Sequence, residues 1–260
     1  MPLDTSSYAL ARPLLRLDGR RAHDLRLIHA QLSTQSSADG SSYLEMGNTK
    51  VMCTITGPTE ARKSGLSGSG KGQENGQVSV ELGVAAFSAV DRRKTGRTDR
   101  RTAELQTIIG QSLASIIITK LFPHSTVYVR LHVLSQDGSL LAACLNAATL
   151  AVVDAGIPIV DYLLACTVAI SDPFGEDAAL ETLLDTNQQE EMELPSLTIA
   201  TEGASDRVVT LMMESKLHTS KLEPAMYAAI KGCKQIRHEL DRIVRKHGES
   251  VLKMSKVAKA

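Results

Sequence analysis

The first candidate for chemistry in this sequence is Gly65-x4-Gly70-Lys71, which opens like a phosphate-binding P-loop. That pattern then needs Ser or Thr to hold a metal ion, and Gly72 follows instead. A P-loop also joins a strand directly to a helix, whereas this run has polar residues on both sides and a predicted strand after it. It reads as a loop rather than a nucleotide site. The second candidate is a set of cations: Arg62 and Lys63 beside Ser64, then Arg92, Arg93, Lys94, Arg97, Arg100 and Arg101. The third is an acidic run. Residues 172–193 hold eight acids (Asp172, Glu176, Asp177, Glu181, Asp185, Glu190, Glu191, Glu193) and no Lys or Arg. Segregated charge of this kind suits a polyanionic ligand or charged neighbouring subunits, with solvated loops as the plainer reading. The sequence has no CxxC, HExxH or GxSxG, and its seven histidines are scattered. Metal-centre and serine-hydrolase chemistry are therefore not expected, and no cofactor is.

These residues must be held by a framework, and hydrophobic periodicity supplies one. Strands are expected at 24–32, 41–46 and 49–57, the last two joined by a Gly47-Asn48 turn. Residues 57–76 contain six of the 18 glycines and read as a mobile loop. A strand at 77–89 and a helix at 99–121 follow. Leu105, Ile108, Ile109, Leu113, Ile116 and Ile117 form the helix's apolar stripe, with Asp99 or Thr98 as its cap. The second half repeats the plan: a strand at 126–134, an Asp137-Gly138 turn, and an alanine-rich, all-apolar helix at 139–155 ended by Gly156. Strands at 162–171, 195–201 and 207–214 precede a last helix at 221–247, with Ser220 and Glu223 as a capping box. The fold class is α+β, two strand-rich halves, each closing with a helix, in one compact domain.

Bulk properties agree. The chain has 260 residues, is 43% hydrophobic and 22% charged, and balances 29 basic against 29 acidic side chains. Such a composition suits a globular protein with a core large enough to need no staple. No membrane span is expected, and the first residues do not read as a secretory signal. Cys53, Cys144, Cys166 and Cys233 stand apart in apolar surroundings, as buried reduced thiols do.

Six short motifs occur in order: Leu17-Asp18-Gly19-Arg20-Arg21; Ala38-Asp39-Gly40-Ser41-Ser42; Gly47-Asn48-Thr49-Lys50-Val51 with Gly57-Pro58; Arg100-Arg101-Thr102-Ala103-Glu104-Leu105-Gln106; Leu134-Ser135-Gln136-Asp137-Gly138; and Ala151-Val152-Val153-Asp154-Ala155-Gly156-Ile157. Together they resemble the ribonuclease PH family, over about residues 14–247. Leu184-Asp185-Thr186-Asn187 and the long last helix resemble its branch of eukaryotic exosome ring subunits, the ribosomal RNA-processing protein 41 type. The resemblance implies a ribonuclease PH-like fold of two βαβα-type halves at 14–247, with a tail at 1–13 and a basic tail at 248–260. It implies a six-membered ring of related subunits, RNA-binding cap subunits, an associated catalytic exoribonuclease, and a place in the nucleus, nucleolus and cytoplasm.

In catalytic relatives the same resemblance implies phosphorolysis of RNA from its 3′ end, with arginines and helix N-terminal N–H groups holding phosphate. Those relatives place Gly-Thr-Arg after the Asp-Gly turn; here the run is Gly138-Ser139-Leu140, so the phosphate arginine is Leu140. Of two aspartates six residues apart, Asp185 matches the first and Glu191 replaces the second. Ser139, Leu140, Asp185 and Glu191 therefore read as the vestige of a site. The expectation is a non-enzyme, a subunit that scaffolds the ring and lines its channel in RNA decay and ribosomal RNA maturation; the alternative is an active phosphate-dependent 3′–5′ exoribonuclease. Arg62, Lys63, Arg92, Arg93, Lys94, Arg97, Arg100 and Arg101, with Ser64, are expected to guide single-stranded RNA. Aromatic residues are only 3% of the chain, so contact with the RNA backbone, blind to sequence, is expected rather than base stacking.

Overall fold

The computed structural model describes residues 16, 18–60, 76–89, 92, 99–171, 181–203 and 205–257. The first half builds a sheet of five strands: β1 (Ile28–Leu32), β2 (Gly40–Met46), β3 (Thr49–Glu60), β4 (Gln77–Val84) and β5 (Ser125–Ser135). Their order is β1-β2-β3-β5-β4. A two-residue turn at Gly47-Asn48 makes the β2–β3 hairpin, and Gly47 takes the positive φ of 60° that such a turn requires. Along β3, Val51, Cys53 and Ile55 point inward while Lys50, Met52 and Thr54 stay half-exposed, the alternation of a sheet wet on one face. β4 and β5 are parallel, so their connection must cross over; helix α1 (Arg100–Ile116) is that crossover.

The second half builds an antiparallel sheet of four strands in the order β7-β6-β8-β9: β6 (Leu163–Ser171), β7 (Glu181–Leu184), β8 (Ser196–Glu202) and β9 (Val208–Met213). Helix α2 (Leu140–Asp154) lies between the two sheets, against β2 and β3 on one side and β6 and β8 on the other. This explains its composition. A helix pressed between two sheets has no polar face, and its alanines allow close approach: Ala142, Ala143, Ala147, Ala148 and Ala151 are fully buried. A Cβ on Gly40 would stand 2.5 Å from Ala151 O, so β2 meets the helix backbone there. Asn146 bonds both Ala165 N–H and Ala165 O at 2.9 Å, and Ser42 Oγ donates to Ala147 O at 2.7 Å, which fixes the helix to each sheet. Short helix α3 (Gln188–Glu193) follows β7, and long helix α4 (Thr219–Val257) covers the second sheet. The four cysteines are buried and unpaired, and burial pushes the thiol of Cys144 up to about 12.

Several boundaries differ from expectation. β3 continues through Gly57-Pro58 to Glu60, with a register break between Thr56 and Thr59 where proline donates no N–H; residues 61–75 lie outside the described residues. β1 begins at Ile28 rather than 24, and β4 ends at Val84 rather than 89. α1 stops at Ile116 because the β-branched run Ile116-Ile117-Ile118 turns extended and pairs with residues 158–160. Asp99 is its N-cap residue, but its side chain makes no cap bond to the helix backbone. The part of the acidic run at 181–193 that reads as loop contains β7 and α3. Ser220 is not a capping residue, since α4 starts at Thr219 and the Ser220 hydroxyl pairs with His218 at 2.7 Å. α4 also runs past the expected end at 247 to Val257, carrying Gly248 and most of the basic tail within it.

Candidate functional site

The acids of the second half meet the arginines of the N-terminal segment. Asp185 follows β7 with a φ of 52°, a left-handed conformation that costs a non-glycine residue about 1–2 kcal/mol. It is held there by Arg26: Asp185 Oδ2 accepts the Arg26 N–H at 3.0 Å, and Oδ1 accepts Arg26 Nη2 at 2.6 Å. Arg26 Nη1 also donates to Asp137 O at 2.6 Å and to Thr49 Oγ1 at 3.2 Å. The Asp185 carbonyl takes further bonds from Arg20 at 3.1 Å and Arg16 at 3.2 Å. Arg16 grips Glu190 through Nε at 2.8 Å and through Nη2. Glu190 in turn accepts the Asn187 N–H at 2.9 Å, which starts α3. Both ion pairs are buried. The cations missing from the acidic run are thus supplied by residues 16–26.

This clamp places α3 against the N-terminus of α2. Gly138 makes the contact possible, since its φ is 74° and a Cβ would stand 2.5 Å from Thr186 O and Asn187 C. Ser139, also left-handed at φ 50°, is the N-cap residue of α2. Its hydroxyl does not cap the helix but donates to Thr186 O at 3.0 Å. Its N–H donates instead to Glu191 Oε1 at 2.6 Å, and Thr186 Oγ1 donates to the same oxygen at 3.2 Å. A carboxylate from α3 therefore fills the place at a helix N-terminus where an external anion would bind. Burial raises the Glu191 carboxyl above its usual range, and the Ser139 and Thr186 hydrogen bonds and the charges of Arg26 and Arg101 only partly oppose this. Leu140, half-buried, packs against the core.

The structure thus brings Ser139, Leu140, Asp185 and Glu191 together at one place. Arg101 is near enough for its charge to be felt at Glu191, and it pairs with Glu214 at 3.6 Å. Arg100 pairs with Glu104 at 2.9 Å, one turn along α1. Both side chains are largely exposed, as is Arg92. Arg62, Lys63, Ser64, Arg93, Lys94 and Arg97 lie outside the described residues. Arg16, Arg26 and Glu190 are site residues that sequence reasoning passed over; their signal was an acidic run with no cation of its own. Both oxygens of Asp185 are engaged by Arg26, and among the described residues no group of three or more His, Cys, Asp or Glu side chains is placed to hold a metal ion.

Comparison with known proteins places this geometry. A model of the 3′ exoribonuclease family, domain 1, matches residues 24–158, and one of domain 2 matches residues 161–232. The chain is 36% identical over 238 residues to the exosome complex component ski6 of Schizosaccharomyces pombe, covering 92% of this chain and 94% of that protein. It is 37% identical over 232 residues to exosome complex component RRP41 of Homo sapiens, covering 89% and 91%. Among solved structures it resembles rice (Oryza sativa) Rrp46, with a TM-score of 0.72, 25% identity, and 85% and 95% of the chains covered. An Archaeoglobus fulgidus exosome subunit, from a structure with RNA bound to the active site, shares the fold at a TM-score of 0.72 and 20% identity, covering 91% and 97%.

Proposed function

The chain belongs to the 3′ exoribonuclease family of ribonuclease PH fold, and from that premise we propose that it is a non-catalytic ring subunit of an RNA exosome. Its ring neighbours are other ribonuclease PH-like subunits. RNA-binding cap subunits sit on the ring, and the channel it helps to line leads RNA 3′ ends to an associated exoribonuclease. That role serves RNA decay and processing, ribosomal RNA maturation included, in the nucleus, nucleolus and cytoplasm. The names of the eukaryotic relatives support the assembly. Arg92, Arg100 and Arg101, with the cations expected at 62–63 and 93–97, hold the RNA backbone without reading its sequence.

The observation that carries the non-catalytic reading is the Glu191 carboxylate on the Ser139 N–H at 2.6 Å, next to Leu140. Phosphorolysis needs inorganic phosphate as its nucleophile, held where positive charge and N–H groups converge. Here the Ser139 N–H is taken by the chain's own anion, and the Leu140 side chain offers no donor. One lost charge-stabilising donor costs about 10²–10³ in rate. A carboxylate in the phosphate's place adds exclusion and like-charge repulsion. The same observation speaks against the alternative, an active phosphate-dependent 3′–5′ exoribonuclease.

The test is incubation of the purified chain, and of the reconstituted ring, with 3′-fluorescent RNA, magnesium and inorganic phosphate. No nucleoside diphosphate should appear, and Leu140→Arg alone should not restore it, because Glu191 still fills the site. Phosphate-dependent release of nucleoside diphosphates by the wild-type chain would overturn the reading.

A further inference from the structure

The connection from β4 to α1 opens with a tight turn. Ala85 N–H donates to Val133 O at 3.1 Å, Ser88 N–H to Ala85 O at 2.9 Å, and Gln136 N–H to Ser88 O at 2.9 Å. Ser88 is buried. Residues 85–88 are therefore stitched at both ends to the segment 133–136, which runs on through Asp137 and Gly138 to the Ser139–Glu191 contact. On this fixed turn Phe87 is 65% exposed, and Ala86 beside it is exposed too. A single apolar side chain in water is common on protein surfaces and by itself marks nothing. What sets Phe87 apart is its company.

α1 returns alongside β4 in the opposite direction. A Cβ on Gly110 would meet Val80 Cγ2 at 3.6 Å, and Gln106 Nε2 donates to Leu82 O at 3.4 Å. Continued backward, that register carries the first turn of α1, with Arg100 and Arg101, to the end of β4 where Phe87 stands. Arg92, four residues after Ser88, is exposed and has no ion pair among the described residues. The positive charge at this end survives pairing. Residues 91–101 hold Arg92, Arg93, Lys94, Arg97, Arg100 and Arg101 against Asp91 and Asp99. Adding Glu104 and Glu214, the exposed partners of Arg100 and Arg101, still leaves six cations to four acids. A flat ring beside surplus cations suits a polyanion that carries flat faces of its own, a single strand of RNA. A partner protein suits it less. Interface anchors sit in clusters of apolar contacts, and the described neighbours of Phe87 along the chain are alanines and a serine.

We infer that Phe87 stacks on a base of the RNA strand whose backbone Arg92, Arg100 and Arg101 hold. Every base has a π-face, so the contact tolerates any sequence. The inference rests on the RNA-guiding role proposed above. It adds a contact to the bases that the basic run at 91–101, which has no aromatic residue, does not offer.

The test uses the reconstituted complex with Phe87→Ala, Phe87→Leu or Phe87→Tyr. Each binds fluorescent oligoadenylate, and an abasic strand of equal length, over a range of salt. Phe87→Ala should lose about fivefold or more in affinity for oligoadenylate. Phe87→Leu should share that loss and Phe87→Tyr should not, since only an aromatic ring stacks. The abasic strand should bind wild type and variants alike. The salt slope should also stay at the wild-type value, because no charge has changed. Phe87 is exposed, so the variants should fold, and the mass of each complex checks assembly. Oligoadenylate affinity unchanged in Phe87→Ala, full rescue by leucine, or an equal loss on the abasic strand would overturn the inference. So would a complex that falls apart with Phe87→Ala, which would assign the ring to a partner subunit. A wild-type complex that binds neither strand would remove the RNA reading as well. One that binds both while Phe87→Ala changes nothing would remove only the stacking.

Discussion

The N-termini of α1 and α2 are built from similar parts and left in opposite states. Each helix end offers unpaired N–H groups and a positive dipole, and neither carries an acid in its own first turn. At α2 the positive end is closed. Ser139 N–H is spent on Glu191, Leu140 packs inward, and the buried Arg26–Asp185 pair fixes the segment that supplies the carboxylate. At α1 the end is open among the described residues. The Asp99 side chain makes no cap bond to the helix backbone and accepts only the Thr102 hydroxyl at 3.4 Å, and Arg100 and Arg101 reach solvent with only exposed partners. On the reading proposed above, an anion arriving from solution is received at α1, because the place at α2 is taken by Glu191. In this fold the number of arginines near a helix end matters less than whether their partners are buried.

The largest way to break the comparison is to unlock the closed end. Arg26→Ala leaves Asp185 buried without a counter-charge, and removing one partner of such a pair costs about 3–5 kcal/mol. Denaturant unfolding should register that loss, and residues 185–191 should become protease-sensitive as the clamp releases. An effect under about 1 kcal/mol, the level of an exposed pair, would mean that the clamp is not what closes the end.

A second test acts on the open end. Arg100→Glu/Arg101→Glu should leave stability and ring assembly unchanged, since exposed pairs contribute about 0–1 kcal/mol. Each phosphate neutralised on a single strand contributes about 0.7 to the slope of log K against log salt, so losing both arginines should flatten it by about 1.4. Fluorescence anisotropy of RNA bound to the reconstituted complex, titrated with salt, measures this. An unchanged slope returns both residues to solvated surface charge.

How much of this contrast was readable beforehand depends on the range of each interaction. The β2–β3 hairpin and α2 were legible because a two-residue turn and an unbroken apolar run are local signals. Ser139, Leu140, Asp185 and Glu191 could be picked out only through the resemblance to the ribonuclease PH family, and the fold does bring them together. β7 and α3 were hidden, because elements of four and six residues inside an acid-rich run show no period. Arg26 was hidden for a different reason: its carboxylate lies 159 residues away, and no pattern within a helix or strand links them. Likewise Ser220, three residues before Glu223, matches a capping box by spacing, but the neighbouring His218 captures its hydroxyl.

The smallest effect tests what holds the closed end closed. Glu191→Gln keeps an oxygen that can accept the Ser139 N–H and removes only the charge. Burial is the largest influence on the Glu191 carboxyl and raises it above the usual 4.5, against the opposing pull of Ser139, Thr186, Arg26 and Arg101. The native state therefore binds this proton more readily than the unfolded chain does. Stability from that proton is fully present below the unfolded value and is lost as pH rises through the folded one. At neutral pH the ionised carboxylate is a net cost that the glutamine does not bear. The variant should melt higher than wild type at about pH 7, and the difference should shrink toward zero at about pH 4. Melting curves across that interval decide the matter. A variant less stable at neutral pH would mean that attraction between the carboxylate and the α2 N-terminus outweighs burial. The closed end would then be held by charge, as RNA is proposed to be at the open end of α1, and the two termini would differ only in which anion each binds.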